Sequence, residues 1–228
     1  MTLPQGAAKV RAVRDMFDAI APRYDLVNRI MTFRMDVGWR RRAVRELRAS
    51  PGTRVLDIAA GTGDLCRELH RAGLRPVGVD LSWGMLAHAR TDAPLVQADA
   101  LRLPVPDGSV DGITSGFALR NFADLGAFFD ECARVLRPGG HVSLLDVAEP
   151  RNAVLRRGHA FYFGKVVPRI GGLLSDPAAY RYLPQSVAYL PPPAEMLARL
   201  HQAGFDAVER RLLSGGITQL VTATRRSP

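Results

Sequence analysis

Asp57, Ala59, Gly61 and Gly63 stand at alternate positions in Val55-Leu-Asp-Ile-Ala-Ala-Gly-Thr-Gly-Asp64, and their types suit them to ligand binding. The small residues let a ligand approach the backbone closely, and Asp57, at the end of an apolar run, can receive a cation or a hydroxyl. Further acids recur at Asp80, Asp99 and Asp146, each at or beside the end of a β-prone run. In an open parallel sheet ligands bind beyond the carboxyl ends of the strands, so these four acids define one candidate edge. Asp80 follows Gly63 by 17 residues, one helix and one strand later, where a carboxylate can accept from both hydroxyls of a ribose. Asp99, with Ala100, is placed to meet an adenine amino group. Taken singly, each acid could equally cap a helix or serve a turn. A dinucleotide fold wants G-x-G-x-x-G, and Cys66 stands where its third glycine belongs, which disfavours a nicotinamide-dependent dehydrogenase.

The elements that must position these residues alternate along the chain. Val55, Leu56 and Ile58 predict a strand at 54–58, and Leu65 and Leu69 open a helix at 64–72. Strands follow at 76–80, 95–98, 110–115 and 141–146, the last after an Arg137-Pro-Gly-Gly140 turn, with helices at 83–90 and 124–136. Residues 150–190, rich in Arg, Gly, Tyr and Pro, do not read as a strand. A helix at 193–203 and strands at 205–213 and 217–225 close the chain, and the short Ser214-Gly-Gly216 turn makes those two strands antiparallel. Before the first strand, Val10, Val13, Phe17 and Ile20 lie at helical spacing, and a second helix runs from Trp39 to Leu47. This section precedes the sheet's winding and is expected to pack over its mouth.

The Asp57-x-Ala59-x-Gly61-x-Gly63 pattern resembles motif I of the class I S-adenosylmethionine-dependent methyltransferases. Longer stretches resemble one family of that class, the ubiquinone/menaquinone biosynthesis C-methyltransferases. They are Tyr24-Asp25-x-x-Asn28 with Trp39, the loop from Val55 to Leu65, Phe117-Ala-Leu-Arg-Asn121 and Arg134-Val-Leu-Arg-Pro-Gly-Gly140. Pro168-Arg-Ile-Gly171 and Ala179-Tyr-Arg-Tyr-Leu-Pro184 resemble the segment that covers that family's active site. Asp36 stands where the family has histidine, Thr32 and Ala148 where it has serine, and Asp146 where it has glutamate. These departures fall on the acceptor side.

The resemblance implies a Rossmann-like α/β fold: a mainly parallel seven-stranded sheet with one antiparallel strand. The whole of 1–228 would be one methyltransferase domain, with 1–50 a helical cover and 151–190 a substrate-side insertion. It implies methyl transfer from S-adenosyl-L-methionine to a ring carbon of a polyprenyl hydroquinone, demethylmenaquinol to menaquinol. The cofactor would meet Asp57, Ala59, Gly61, Gly63, Asp80, Leu81, Asp99, Ala100 and Phe117; the acceptor would meet Tyr24, Asn28 and Tyr180. Arg120 would stabilise a phenolate-like oxygen and Asn121 would orient the ring or a water, with Asp146, Tyr182 or water as the base. The alternatives are another lipophilic phenol or small metabolite as acceptor, or a non-catalytic cofactor-binding protein of the same fold.

Composition bounds these readings. At 228 residues the chain is long enough for one sizeable α/β domain and short for two. Cys66 and Cys132 form no CxxC, and the five histidines show no metal-ligand spacing, so neither a disulfide framework nor a metal site is expected. No apolar run approaches the roughly 20 residues that span a bilayer. Residues 1–9 lack the apolar core of a secretory signal, so a cytoplasmic location is expected. The net charge of +9 suits an anionic partner, with a dense cluster from Arg40 to Arg48. No nucleic-acid-binding module accompanies it, so no nucleic-acid partner is expected. A polyprenyl acceptor lives in a bilayer, which suggests peripheral contact with the inner face of the membrane through Phe161-Tyr162-Phe163, unless these aromatics belong to the core. A homodimer is compatible with this reading.

Overall fold

In the strand β1 (Arg54–Ile58), Val55, Leu56 and Ile58 are all buried, the near-continuous apolar run of a strand covered on both faces. A computed structural model describes residues 4–227, excepting the side chains of residues 174, 178, 181 and 183. The start of the N-terminal stretch read for a signal, residues 1–3, lies outside the described residues. The other strands are β2 (Arg75–Asp80), β3 (Leu95–Gln97), β4 (Val110–Gly116), β5 (Leu136–Val147), β6 (Phe205–Leu213) and β7 (Thr218–Arg225). They form one seven-stranded sheet in the order β3-β2-β1-β4-β5-β7-β6. β1 to β5 pair in parallel, and β7 runs antiparallel to both β5 and β6. The expected mainly parallel sheet with one antiparallel strand is what forms. Strand order reverses between β1 and β4, which leaves a crevice above their carboxyl ends.

Helices α4 (Asp64–Arg71), α5 (Trp83–Ala87), α6 (Leu125–Val135) and α10 (Pro193–Gln202) connect the strands. The main core joins Leu56, Ile58, Ile113 and Leu144 of the sheet to Phe128 and Phe129 of α6 and Leu200 of α10. Truncating a fully buried phenylalanine such as Phe128 to alanine costs about 3–5 kcal/mol, so this layer fixes the sheet's lower face. The Arg137–Gly140 stretch, expected as a turn, lies inside β5. The register shifts there between the pairs Val110–Leu136 and Gly112–His141, and Gly139 adopts φ +74°.

Three N-terminal helices precede the sheet: α1 (Gly6–Ile20), α2 (Tyr24–Met31) and α3 (Met35–Glu46). They divide the expected cover. α1 and α2 reach over the sheet's mouth, joined there by the start of α3 through Asp36 and Arg40. α3 lies on the sheet's other face, with Trp39 and Ala43 against Leu145 and Leu220, and Val44 clustered with Val55. Between β5 and α10 the chain forms α7 (Ala153–Phe161), a π-helical turn at Tyr162–Val166, α8 (Val167–Leu174) and α9 (Pro177–Ser186). α7 buries none of its residues.

Candidate active site

The loop after β1 takes left-handed backbone at Ala59 (φ +57°), Gly61 (φ +56°) and Gly63 (φ +81°). The three do different work. A Cβ at Gly61 would meet nothing within 4 Å, so this backbone faces open space, whereas one at Gly63 would meet the Thr91 side chain at 2.5 Å. Gly63 therefore serves packing and the start of α4, and it lines neither large cleft. Ala59 holds the same conformation with a Cβ, a strained choice that keeps the loop small.

A cleft of about 820 Å³, open to solvent, lies over this loop. Ala59, Gly61, Asp80, Leu81, Asp99, Ala100, Phe117 and Asn121 line it, and Val10, Val13 and Phe17 of α1 roof it. Asp80 is the best-defined polar group. Its Oδ2 accepts from Gly61 N at 2.8 Å and its Oδ1 from Ser82 N at 2.8 Å. A carboxylate has about four acceptor positions, so each oxygen keeps capacity for one more donor. Burial pushes the Asp80 carboxyl up, and the backbone N–H groups of Ser82, Gly61 and Leu81 pull it back. Asp99 is exposed and accepts from Leu101 N at 2.9 Å.

A second, mostly apolar cleft of about 990 Å³ adjoins the first. Phe17, Tyr24 and Phe117 line both, so the clefts meet across these rings. The second is lined by Asn28, Phe33, Asp36, Trp39, Arg40, Arg120, Tyr162 and Phe163. Arg120 is 5% exposed and ion-paired with Asp146; its Nη1 donates to Phe117 O at 2.8 Å and its Nε to Ser186 Oγ at 3.1 Å. The guanidinium is thus fixed at the inner end of the cleft. Burial pushes the Tyr24 phenol up, partly offset by Arg40 and Arg120, so it faces the junction as a neutral hydroxyl.

Several expected site residues are placed otherwise. Asp57 lines neither large cleft. It is buried beneath the loop beside a small slot, where Thr114 Oγ1 donates to it at 2.8 Å and Cys66 Sγ at 3.4 Å; burial pushes its carboxyl up to about 7. Asp146 is fully buried and committed to Arg120 and to the backbone of Arg120 and Val147, so it positions the guanidinium instead of serving as a base. Tyr182 approaches Asn121 Oδ1 at 3.4 Å but lines neither large cleft, and burial pushes its phenol up to about 12. At neutral pH it holds its proton, which argues against a base. Tyr180 is a core residue packed against Gly171 and clustered with Ile20, Val27 and Met85, not an acceptor contact. Of Phe161-Tyr162-Phe163, Phe161 is 65% exposed while the other two line the second cleft.

Four contributors were not read from the sequence as site residues. Asp18 of α1 accepts from Ser82 Oγ at 2.6 Å and Gly84 N at 2.8 Å, tying the roof to the start of α5. Lys9 Nζ donates to Phe122 O at 2.7 Å and sits 3.7 Å above the Tyr189 ring. Asp25 accepts from Thr62 Oγ1 at 2.5 Å, holding the loop to α2. Arg40 lies in a run that reads as a basic surface, yet it is 6% exposed and shared between Asp36 and Asp64. Its neighbours Arg41 and Arg42 are likewise paired, with Glu68 and Glu46. The four-residue spacing of Asp36 and Arg40 on one helix is the sequence signal that could have found it.

A family model described as the ubiE/COQ5 methyltransferase family matches residues 5–225. The chain belongs to that family. The "Ubiquinone/menaquinone biosynthesis C-methyltransferase UbiE" of Syntrophotalea carbinolica is 42% identical over 224 residues, covering 94% of each chain. The "Demethylmenaquinone methyltransferase" of Thermus thermophilus is 43% identical over 220 residues, covering 92% of this chain and all of the relative. Among solved structures, a SAM-dependent methyltransferase of Thermotoga maritima, possibly a histamine N-methyltransferase by its title, superposes with a TM-score of 0.66 at 18% identity. It covers 93% of this chain and 99% of its own, which shows the shared fold.

Proposed function

We propose that this methyltransferase transfers a methyl group from S-adenosyl-L-methionine to a ring carbon of a polyprenyl hydroquinone, converting demethylmenaquinol to menaquinol. The observation that carries the reading is the junction at Tyr24 and Phe117, where a polar-edged cleft meets an apolar one with a buried guanidinium. The first cleft fits the cofactor. Gly61 leaves open space, Asp80 keeps two acceptor positions for a ribose diol, and Leu81 and Ala100 offer apolar walls beside Asp99 for an adenine. Ala59, Gly61, Asp80, Leu81, Asp99, Ala100 and Phe117 would hold it. When bound, it supplies a methyl group already activated on a sulfonium.

The chain must then do three things. The aromatic wall of Phe17, Tyr24, Phe117 and Trp39 holds a flat ring, and the apolar cleft past Phe33 and Tyr162 takes the prenyl tail. Arg120, held by Asp146, Ser186 and the Phe117 carbonyl, stabilises negative charge on the ring oxygen beside the methylated carbon. Charge on that oxygen makes the carbon nucleophilic. Asn121, which lines the cofactor cleft, orients a water that accepts the phenolic proton, since Asp146 is committed and Tyr182 is protonated. Holding ring and donor in line across the junction converts the encounter into an effectively unimolecular step.

The acceptor's tail implies work at a bilayer. Among the described residues no helix is long and apolar enough to cross a membrane. We therefore place the protein peripherally on the inner face of a membrane, as one domain over 1–228. Support comes from residues 151–175, which carry five Arg or Lys and no Asp or Glu, with Phe161 and Leu173 exposed. Mass spectrometry of quinones from cells lacking this protein tests the acceptor. Accumulation of the species lacking one ring methyl is expected; an unaltered quinone pool would refute it.

A further inference from the structure

Two guanidiniums line the acceptor cleft, and the proposed chemistry uses one. Phe117 contacts both: its carbonyl accepts from Arg120 Nη1 at 2.8 Å, and its ring centroid lies 5.6 Å from the Arg40 guanidinium carbon. Beside Arg40 in the cleft lies Asp36, 1% exposed, whose Oδ1 accepts from Thr32 Oγ1 at 2.7 Å and whose Oδ2 pairs with Arg40. Arg40 also reaches Asp64 at 3.2 Å. Of its five N–H donors two point at carboxylates, and the Asp36 carboxylate has about four acceptor positions with two taken. The pair thus presents donor and acceptor capacity side by side. A hydroxyl uses both; a carbonyl oxygen can only accept and would face the Asp36 charge without a proton to share.

We propose that Asp36 and Arg40 hold the second oxygen of the acceptor ring, the one away from the methylated carbon, as a hydroxyl, and so select the reduced diol over its quinone. The proposal rests on the hydroquinone reading above. Asp36 and Arg40 are positioning residues here, because the second oxygen does not feed charge to the reacting carbon.

The experiment uses the full chain and three short-chain acceptors: a prenyl naphthalene-1,4-diol, its analogue with the second hydroxyl methylated, and its analogue lacking that oxygen. Wild type is expected to prefer the diol by about tenfold or more in kcat/KM, the difference appearing in KM, since a hydrogen bond to a charged group is lost in each analogue. Arg40→Lys and Asp36→Asn are expected to lose more kcat/KM on the diol than on either analogue, so that the preference for the diol shrinks to about twofold or less. The short-chain quinone should inhibit Asp36→Asn more strongly than wild type. Cofactor titration shows that each variant is folded, and Asp36→Asn carries the test where Arg40→Lys does not fold. A parallel loss on all three acceptors, or a wild type that does not distinguish them, would show that the pair only anchors α3 to α4 and would overturn this proposal alone. A wild type that methylates none of the three would overturn the hydroquinone reading and this proposal with it.

Discussion

Arg120 and Asp146 are best understood as one unit, because a guanidinium buried to this degree needs its carboxylate. Arg120→Ala removes the phenolate contact, and kcat and kcat/KM should fall on the order of 10²–10³ with cofactor affinity nearly unchanged. It also strands Asp146, so stability should drop by about 3–5 kcal/mol. Arg120→Lys keeps a charge but not the planar fork, and should recover part of both losses. Single-turnover assays with a soluble quinol, paired with cofactor titration, check this; full activity in the alanine variant would sink the role. For Asp80→Ala, calorimetry should show at least a tenfold loss of S-adenosylmethionine affinity, since charge-assisted bonds contribute about 1.5–3 kcal/mol each. Asp57 yields a pH prediction. Its carboxyl rises from 3.8 to about 7 on folding, so between those values the folded chain holds the extra proton. Its contribution to stability is full below about pH 4 and is lost as pH rises through about 7. Urea midpoints measured from pH 4 to 8 should show that decline in wild type and a flatter profile in Asp57→Asn.

At the scale of elements, α1 shapes the cofactor's side of the site, since its side chains roof the first cleft. It is tied down near both ends: by Asp18 to the start of α5, and by Lys9 to Phe122 and Tyr189. Burial draws the Lys9 ammonium down to about 8, so it is charged over most of the neutral range. Lys9→Met keeps the apolar stem and removes the hydrogen bond and the contact with the Tyr189 ring. Faster hydrogen exchange in α1 and a several-fold weaker cofactor affinity are expected, with kcat little changed. Exchange rates equal to wild type would mean that packing by Ile20 and Val10 alone holds the roof.

At the scale of the whole molecule, charge and exposed apolar side chains converge on α7 and α8. A basic residue near an anionic surface contributes about 1 kcal/mol, and salt screens it over a Debye length. Cosedimentation with vesicles containing anionic lipid is therefore expected, weakening as ionic strength rises. The double variant Phe161→Ser, Leu173→Ser should bind vesicles less while titrating with cofactor like wild type. Equal binding to zwitterionic and anionic vesicles, insensitive to salt, would argue against this face.

The alternation of strands and helices, the loop from Asp57 to Gly63 and the acids at Asp80 and Asp99 were all legible in the chain, because each rests on local periodicity or on a turn's demand for small residues. The likeness of Phe117–Asn121 and Tyr24–Asn28 to known motifs pointed to the right family. What a side chain does once folded was another matter. Tyr180 turned into the core, Asp146 was committed to Arg120, and α3 with Arg40 moved from an apparent basic surface to a sheet face and a cleft wall. Those outcomes depend on partners far away in sequence: Lys9 meets Phe122 across 113 positions, and Arg120 meets Ser186 across 66. Periodicity reports which face of an element is buried. Only packing decides what it is buried against, and burial beside a partner decides whether a charged group faces a ligand or holds another residue in place.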